Sequence, residues 1–304
     1  MEASKAEQRL CTRLGLEPAA AERLVAAMRA GNSSRTAVVL SPKAPADYEP
    51  PFACADMSAA PWLPPRVYVP EAGERPAQYA DYEAGLYYVL DVSSCWESAA
   101  LAHVPPPTSS LDLCAAPGGK TMLMAARYVP QAHTANEVNA ARRGILRQNI
   151  EKCGLPNTEV SGLRPDQWAA EGKQFDLMLV DAPCSGQSLL CKGIKNPGCL
   201  GAQMVNGNAK RQKGIMLAAV QCVTDGGHIL YSTCTYDPDE NEKVISYILR
   251  RVPGWVAVEV PLLAAFRSGL ADFPCYRLLP EHGFGAGGFC CLLKKTENIE
   301  QTTK

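Results

Sequence analysis

Residues 175–186 read Phe-Asp-Leu-Met-Leu-Val-Asp-Ala-Pro-Cys-Ser-Gly, and they decide the fold class. The apolar run 177–180 is typical of a strand that is buried on both faces of a parallel sheet. Asp181 and Cys184 follow it directly, at the carboxyl end where open α/β sheets bind their ligands. A carboxylate and a thiol at one strand tip indicate chemistry more than packing.

Outward from this stretch, strands alternate with helices. The predicted strands are 110–113, 132–136, 159–161, 177–180, 228–232 and 288–293. The predicted helices are 121–127, 139–152, 210–223 and 240–251. This alternation predicts an α/β main domain at residues 81–295, with a Rossmann-like, mostly parallel sheet and helices on both faces. The polar tail 296–304 is expected to fray.

The first 80 residues have a different pattern. They predict a small N-terminal α/β appendage with helices at 4–14 and 19–30 and a strand at 35–40, followed by a proline-rich linker. Trp62, Tyr68 and Tyr79 are expected to attach this linker to the main domain, with base stacking as the alternative. A strand at 86–91 and a helix at 93–101 with a serine cap are expected to follow.

The composition limits the kinds of function that the sequence can have. The 304 residues have a formal net charge of -1, so any binding of nucleic acid must rest on local charge. The N-terminus lacks the apolar core of a signal peptide, and no apolar run is long enough for a membrane span, so we expect a cytoplasmic protein without membrane contact. The 13 cysteines include no Cys-x-x-Cys pair, which argues against a zinc site. Nothing in the sequence demands more than a monomer.

A second stretch predicts a cofactor loop. Residues 111–120 read Leu-Asp-Leu-Cys-Ala-Ala-Pro-Gly-Gly-Lys, so a strand leads through small residues into a helix. Such a loop lets a nucleotide-type ligand approach the backbone and the helix N-terminus. It is neither Gly-x-Gly-x-x-Gly nor a Walker loop, which weakens NAD and ATP as ligands. A plain Pro-Gly turn would not explain Lys120 and the flanking alanines.

Two acids are candidates for cofactor binding beside this loop. Glu137 ends the next predicted strand, about 20 residues after the loop, where a carboxylate accepts hydrogen bonds from ribose hydroxyls. Asp166 follows the third strand and is expected to face the other end of the cofactor. Its alternative is a helix cap.

A second thiol completes the pattern. Residues 229–235 read Ile-Leu-Tyr-Ser-Thr-Cys-Thr, a further strand that ends at Cys234. A single strand-end cysteine is more often part of the core than catalytic. Because Cys184 and Cys234 are expected to open into one crevice beside Asp181 and a cofactor loop, a catalytic interpretation is favoured.

These three motifs together closely resemble the Sun/Fmu family of RNA cytosine-5 methyltransferases. The resemblance covers residues 82–295 and, more loosely, the appendage. It implies S-adenosylmethionine as the cofactor, Cys234 as the nucleophile, Cys184 as the residue that assists product release, and Glu137 on the ribose. Asp166 and Asp181 would complete the cofactor site. The implied loop consists of Cys114, Ala115, Ala116, Pro117, Gly118, Gly119 and Lys120.

The chemistry agrees with these residue types. Cytosine C5 is a poor nucleophile until a thiolate adds to C6, and a depressed pKa favours that thiolate. Asp181 is expected to polarise the base at N3, and Lys120 to orient Asp181 or to favour the thiolate. The target base must be single-stranded or flipped. The sequence does not indicate which side chain acts as the general base that removes the C5 proton.

RNA is the expected partner, most of all small-subunit ribosomal RNA or the ribosomal subunit, with the crevice rim as its contact. No acid occurs from residue 182 to residue 224, whereas five basic residues do, and these are suited to phosphates: Lys192, Lys195, Lys210, Arg211 and Lys213. Arg142, Arg143 and Arg147 are interpreted as a solvated helix face. Since the sequence ends soon after its last strand, target choice is expected to rest on the appendage and the rim.

Three alternatives stay open. The same reaction on transfer RNA is one. A non-catalytic RNA-binding factor for ribosome assembly is another, against which the intact loop and both thiols argue. Methylation of an exocyclic amine is disfavoured, because the strand tip lacks the aromatic residue that such enzymes use.

The sequence departs from the family pattern at Leu90, where glutamine is usual, at Cys290-Cys291, and at residues 206–208, which are expected to be flexible.

Overall fold

The computed structural model describes residues 2–296 of the chain; the predicted frayed tail lies outside these residues except for residue 296. The N-terminal elements are α1 (Lys5–Arg13), α2 (Pro18–Ala30), β1 (Thr36–Leu40), β2 (Val67–Tyr68), α3 (Ala80–Glu83) and β3 (Tyr87–Asp91). Both β2 and β3 pair with β1 in antiparallel orientation, which gives a three-stranded sheet of order β2-β1-β3. This sheet therefore includes residues beyond the predicted boundary at residue 80.

The first two helices begin and end at residues that favour those positions. Ser4 and Glu7 form a capping box at the start of α1, because each side chain accepts a hydrogen bond from the other residue's backbone N–H. Pro18 lies in the first turn of α2, and Gly31 ends it in the left-handed conformation at φ 62°. Both helices match the sequence-based prediction to within a residue or two.

The main domain contains a larger sheet and helices on both of its faces. Its elements are α4 (Val92–Ser98), β4 (Ser109–Asp112), α5 (Gly119–Arg127), β5 (Ala132–Asn136), α6 (Ala140–Cys153), β6 (Thr158–Ser161), α7 (Pro165–Glu171), β7 (Phe175–Asp181), α8 (Ser188–Cys191), α9 (Ala202–Ala219), β8 (Val223–Thr233), α10 (Glu242–Arg251), β9 (Trp255–Ala257), β10 (Tyr276–Leu278) and β11 (Gly288–Lys295). Within residues 2–296, 3₁₀ turns occupy Pro76–Gln78, Ala99–His103, Pro261–Phe266 and Pro280–His282.

The order of the strands in the larger sheet determines where a ligand-binding crevice can lie. The order is β10-β11-β8-β7-β4-β5-β6, with β9 paired to β11. The five strands from β8 to β6 are parallel, and the pairings of β11 with β8, β9 and β10 are antiparallel. From β4 the chain builds outward through β5 and β6, and then returns to the other side with β7 and β8. The carboxyl ends of β4 and β7 thus flank the switch point where α/β sheets bind ligands.

Strand β7 is buried on both faces, as its apolar run predicts. Leu177 and Leu179 pack with side chains of α4, α5 and α6 on one face. Met178 and Val180 pack with α7, α9 and α10 on the other. Alternate residues of one strand therefore enter two separate cores, which confirms a Rossmann-like sheet with helices on both faces.

Several local predictions were wrong. Asp91, not a serine, caps α4, because its carboxylate accepts the N–H of Ser93 at 2.9 Å. Helix α9 begins at 202 and ends at 219, instead of spanning 210–223, so residues 206–208 are helical. The buried positions Val205, Asn208 and Gln212 recur at helical spacing and pack this segment against the domain.

The aromatic residues of the linker divide into two groups. Trp62 packs edge-on against Phe284 of the main domain at a centroid distance of 5.2 Å, as predicted. Tyr79 contacts Phe52 at 5.5 Å, and Tyr68 lies in the same cluster beneath the three-stranded sheet. These two tyrosines therefore stabilise the appendage itself. None of the helices within residues 2–296 is both long enough and apolar enough to cross a membrane.

Candidate active site

A crevice of about 980 Å³ opens at the carboxyl ends of β4, β5, β7 and β8. A smaller recess of about 170 Å³ adjoins it between β3 and the loop after β4. Cys114, Ala116 and Asp181 line both spaces. The three stretches that the sequence singled out therefore meet at one place.

The predicted cofactor loop is held in place by helix α6. Arg142 donates to the carbonyl of Ala116 at 2.6 Å, and Asn149 donates to the carbonyl of Pro117 at 2.8 Å. Gly118 then starts α5 with φ 118°, a conformation that glycine adopts without strain. Ala115, Pro117, Gly119 and Lys120 line the recess, whereas Gly118 lines neither space.

The two acids of the predicted cofactor site both line the crevice but differ in burial. Glu137 is buried at the end of β5, where it accepts the N–H of Asn139 at 2.8 Å and pairs with Arg142 at 3.1 Å. Asp166 lies in the first turn of α7, and its side chain is 68% exposed and pairs with Arg164 at 3.0 Å. The cap position of α7 belongs to Arg164, so the cap interpretation of Asp166 was wrong.

The two thiols lie in direct contact. Cys184 Sγ and Cys234 Sγ are 3.3 Å apart on the crevice wall. A hydrogen bond from Cys184 stabilises the sulfur of Cys234 and, together with Lys120 and Lys192, lowers the pKa of Cys234, while burial and Asp181 oppose this shift. The same hydrogen bond, followed by burial, raises the pKa of Cys184. The sulfur contact is symmetric, and the nearby charges of Lys120 and Lys192 favour Cys234 as the thiolate of the pair.

A buried carboxylate fixes the turn that carries Cys184. Glu240 accepts hydrogen bonds from the backbone N–H of Ser185 at 2.8 Å, from the Ser185 hydroxyl at 2.5 Å and from Gln212 at 3.0 Å. Burial raises the pKa of Glu240, and the hydrogen bonds from Ser185 oppose that shift. The turn after β7 is therefore attached to α9 and to the segment before α10.

Lys120 joins two carboxylates beneath the thiols. Its ammonium lies 2.8 Å from Asp181 Oδ2 and 2.6 Å from Glu97 Oε2. The lysine side chain is only 8% exposed, whereas that of Asp181 is 38% exposed. Ser232 also donates to Asp181 at 3.2 Å. Asp181 thus reaches the crevice while its partners hold it from behind.

Sequence reasoning missed two of these residues. Arg142 is half exposed, as expected of a solvated helix face, but it also contacts both Glu137 and the loop, which the sequence did not indicate. Glu97 lies outside all three motifs. The sequence feature that could have drawn attention to Glu97 is that it is the single charged residue in the helical stretch 92–102.

Of the five basic residues proposed for RNA, one lines the crevice. Arg211 lines the crevice, whereas Lys210 and Lys213 line a separate groove with Lys243. Lys192 is mostly buried and pairs with Asp91 at 3.4 Å. Lys195 is exposed in the loop after α8.

Comparison with known proteins identifies the family. Residues 100–294 match the family described as 16S rRNA methyltransferase RsmB/F. The chain belongs to this family. Its resemblance to the Sun/Fmu enzymes is thereby confirmed, and the assignment indicates S-adenosylmethionine as the cofactor.

Relatives named ribosomal RNA small subunit methyltransferase F support the assignment to the RsmB/F family. The Klebsiella pneumoniae protein is 33% identical over 228 residues, which are 73% of this chain and 47% of that protein. The Pectobacterium atrosepticum protein is 30% identical over 75% of this chain and 48% of its own length. The chain thus spans about half the length of these relatives.

Solved structures from Pyrococcus horikoshii share the fold. NSun6, solved with SFG, has a TM-score of 0.75 at 17% identity and covers 97% of this chain and 99% of its own. A methyltransferase homolog protein has a TM-score of 0.73 at 20% identity, with 96% and 100% covered. The small N-terminal sheet and the main domain of this RsmB/F member therefore occur together elsewhere.

Proposed function

We propose that this chain methylates C5 of a cytosine in RNA through a covalent bond between Cys234 and C6 of the base. Small-subunit ribosomal RNA is the proposed substrate, in line with the names of the relatives. The observation that carries the proposal is the 3.3 Å contact of two thiols beside Asp181 and Lys120. An enzyme that methylates an exocyclic amine has no use for such a pair.

The residues of the crevice fit S-adenosylmethionine. Glu137 is a buried carboxylate at the tip of β5, suited to two ribose hydroxyls, and Asp166 lies farther out on the same wall. The small residues from Cys114 to Gly119 leave the backbone open to the amino-acid end of the cofactor. When bound, the cofactor supplies an electrophilic methyl group on a positively charged sulfur.

Cys234 provides the activation that the base requires. Its thiolate forms a bond to C6, which places electron density on C5, and C5 then takes the methyl group. The Asp181 carboxyl group, one oxygen of which pairs with Lys120, shares a proton with N3 of the base during this step and so stabilises the adduct. A general base then takes the C5 proton, the electrons of that C–H bond form the C5=C6 double bond, the C6–S bond breaks, and Cys234 leaves as thiolate. Cys184 assists this release from its position against Cys234.

The appendage is proposed to position the RNA near the crevice. It contacts the segment that follows the Cys184 turn, since Ser33 donates its N–H to the carbonyl of Cys191 at 2.8 Å. Gly31 and Gly193 approach so closely that a Cβ on Gly31 would lie 2.6 Å from the Cα of Gly193. Arg211 and Lys195 lie on this side as candidate phosphate contacts.

The test is transfer of a labelled methyl group from S-adenosylmethionine to small-subunit ribosomal RNA and to transfer RNA, followed by bisulfite sequencing. We expect methylation at C5 of the ribosomal RNA and none with Cys234→Ser. Cys54→Ser, which changes an exposed thiol remote in sequence from all three motifs, is the control and should retain wild-type activity. Product formation by Cys234→Ser would refute the assigned nucleophile, and label on an exocyclic amine would refute the reaction.

A further inference from the structure

Glu97 is a buried acid that no motif of the sequence accounts for. It lies in α4, its side chain is 3% exposed, and its Oε2 atom is 2.6 Å from the ammonium of Lys120. A buried acid is costly unless it is paired, so its presence at this point of the fold needs a reason.

Strand β11 leaves a space for this carboxylate. A Cβ placed on Gly288 would lie 2.1 Å from Glu97 Oε1 and 3.0 Å from the carbonyl oxygen of Thr233. Any side chain larger than hydrogen at residue 288 would therefore displace Glu97 from Lys120. The space that holds the Glu97 side chain thus lies between α4 and β11, which are distant in sequence.

Glu97 and Asp181 hold Lys120 from two sides. Asp181 faces the crevice and is 38% exposed, whereas Glu97 lies in the interior. A lysine side chain has four rotatable bonds, and a single partner at the edge of an open crevice would leave its ammonium several positions. The second carboxylate restricts it to the position between the two acids.

We propose that Glu97 is a positioning residue for methyl transfer, which holds the Lys120 ammonium against Asp181 from the side away from the crevice. The inference rests on the proposed function. It adds to the pair of thiols and Asp181 a fourth group that touches neither the base nor the cofactor. Its effect on the reaction passes through Lys120.

The charges around Glu97 predict how the reactivity of Cys234 depends on pH. Burial, with smaller contributions from Asp181 and Cys234, raises the pKa of Glu97 to about 8 against the opposing effect of Lys120. The titratable groups that face it are Lys120 from α5, Asp181 from the end of β7, Cys234 after β8, Cys290 from β11 and Cys95 from its own helix. As the pH rises through about 8, Glu97 gains a negative charge, which disfavours a thiolate at Cys234.

The test compares Glu97→Gln with Glu242→Gln. Glu242 is a matched control, because it is equally buried and lies 2.6 Å from Arg277, whereas the ion pairs of Lys120 are with Glu97 and Asp181. We expect Glu97→Gln to lower kcat about tenfold and to leave the KM values for RNA and S-adenosylmethionine within about threefold. We also expect alkylation of Cys234 by iodoacetamide, followed by mass spectrometry, to reach half its maximal rate at lower pH than in the wild type. Glu242→Gln should change neither kcat nor the alkylation profile, whatever it does to thermal stability.

Wild-type kcat and an unchanged alkylation profile in Glu97→Gln would overturn the inference, as would equal effects of both variants. A wild-type chain that methylates no RNA would instead refute the proposed function. The alkylation profile needs no RNA, so a shift in Glu97→Gln alone would still place Glu97 in control of Lys120 and Cys234. The two failures are therefore distinguishable.

Discussion

The two ends of the crevice use ion pairs of similar length in very different surroundings. At the closed end, Lys120 lies 2.6 and 2.8 Å from its two carboxylates, with 8% of its side chain exposed. At the open end, Arg164 lies 3.0 Å from Asp166, and the two side chains are 64% and 68% exposed. Water screens the open pair, so its contribution is small, whereas a buried pair that loses one partner leaves an uncompensated charge. Distance alone therefore does not rank these contacts, and burial does.

Replacing Lys120 should give the largest effect of the comparison. Lys120→Met keeps most of the apolar stem but removes the charge that holds Asp181 and helps to lower the pKa of Cys234. We expect kcat for methyl transfer to fall roughly 10³-fold, the upper range for loss of one stabilising group at a reaction centre. Circular dichroism should show a folded chain, because burial already raises the pKa of Glu97 and loss of Lys120 removes the charge that opposes this rise, so the acid can be buried in its protonated form. Activity within tenfold of wild type would contradict this view of the closed end.

Replacing Cys184 separates the two thiols in function. Cys184→Ser keeps a small polar side chain at the turn but removes the sulfur that lies 3.3 Å from Cys234. We expect turnover to fall about 10²-fold, in the range for loss of a group that assists proton transfer, because release of the product is impaired. Denaturing gels should show protein covalently bound to RNA, and this complex should be absent from the double variant Cys184→Ser/Cys234→Ser. A double variant that still forms the complex would exclude Cys234 as the attached residue.

Glu137 provides the intermediate case, since a buried acid pairs there with a half-exposed arginine. Glu137→Gln retains the shape but weakens the hydrogen bonds expected from ribose hydroxyls and the pair with Arg142. We expect the Kd for S-adenosylmethionine, measured by calorimetry, to rise about tenfold, since hydrogen bonds to charged groups are stronger than neutral ones. The kcat at saturating cofactor should change little. An unchanged Kd would show that Glu137 serves the loop through Arg142 and not the cofactor.

Much of this arrangement is predictable from the sequence, but its electrostatics are not. The apolar run of β7 and the alternation of strands and helices place β4, β5 and β7 to within two residues. The position of Cys184 and Cys234 at strand ends predicts that the two thiols share one crevice. The role of Glu97 cannot be predicted from the sequence. Its partner Lys120 comes from another helix, and the space for its side chain depends on a glycine in β11, so both are tertiary contacts that leave no periodic pattern in the sequence. The sequence also does not show which of the basic residues expected on the rim line the crevice, because successive helical residues point about 100° apart. Lys210 and Lys213 therefore face one groove, while Arg211 faces the crevice.

Asp166 should give the smallest effect. Its carboxylate is exposed and its pKa is lowered chiefly by the hydrogen bonds from Arg164, so solvent already competes for both partners. We expect Asp166→Asn to raise the Kd for S-adenosylmethionine by no more than about threefold at 0.15 M salt, as is usual for exposed pairs. The same calorimetric titration used for Glu137→Gln measures it, with Glu171→Gln on the same helix as the control. A tenfold loss would mean that the bound cofactor excludes water from the rim, and the contrast between the two ends would then not extend to the complex with cofactor.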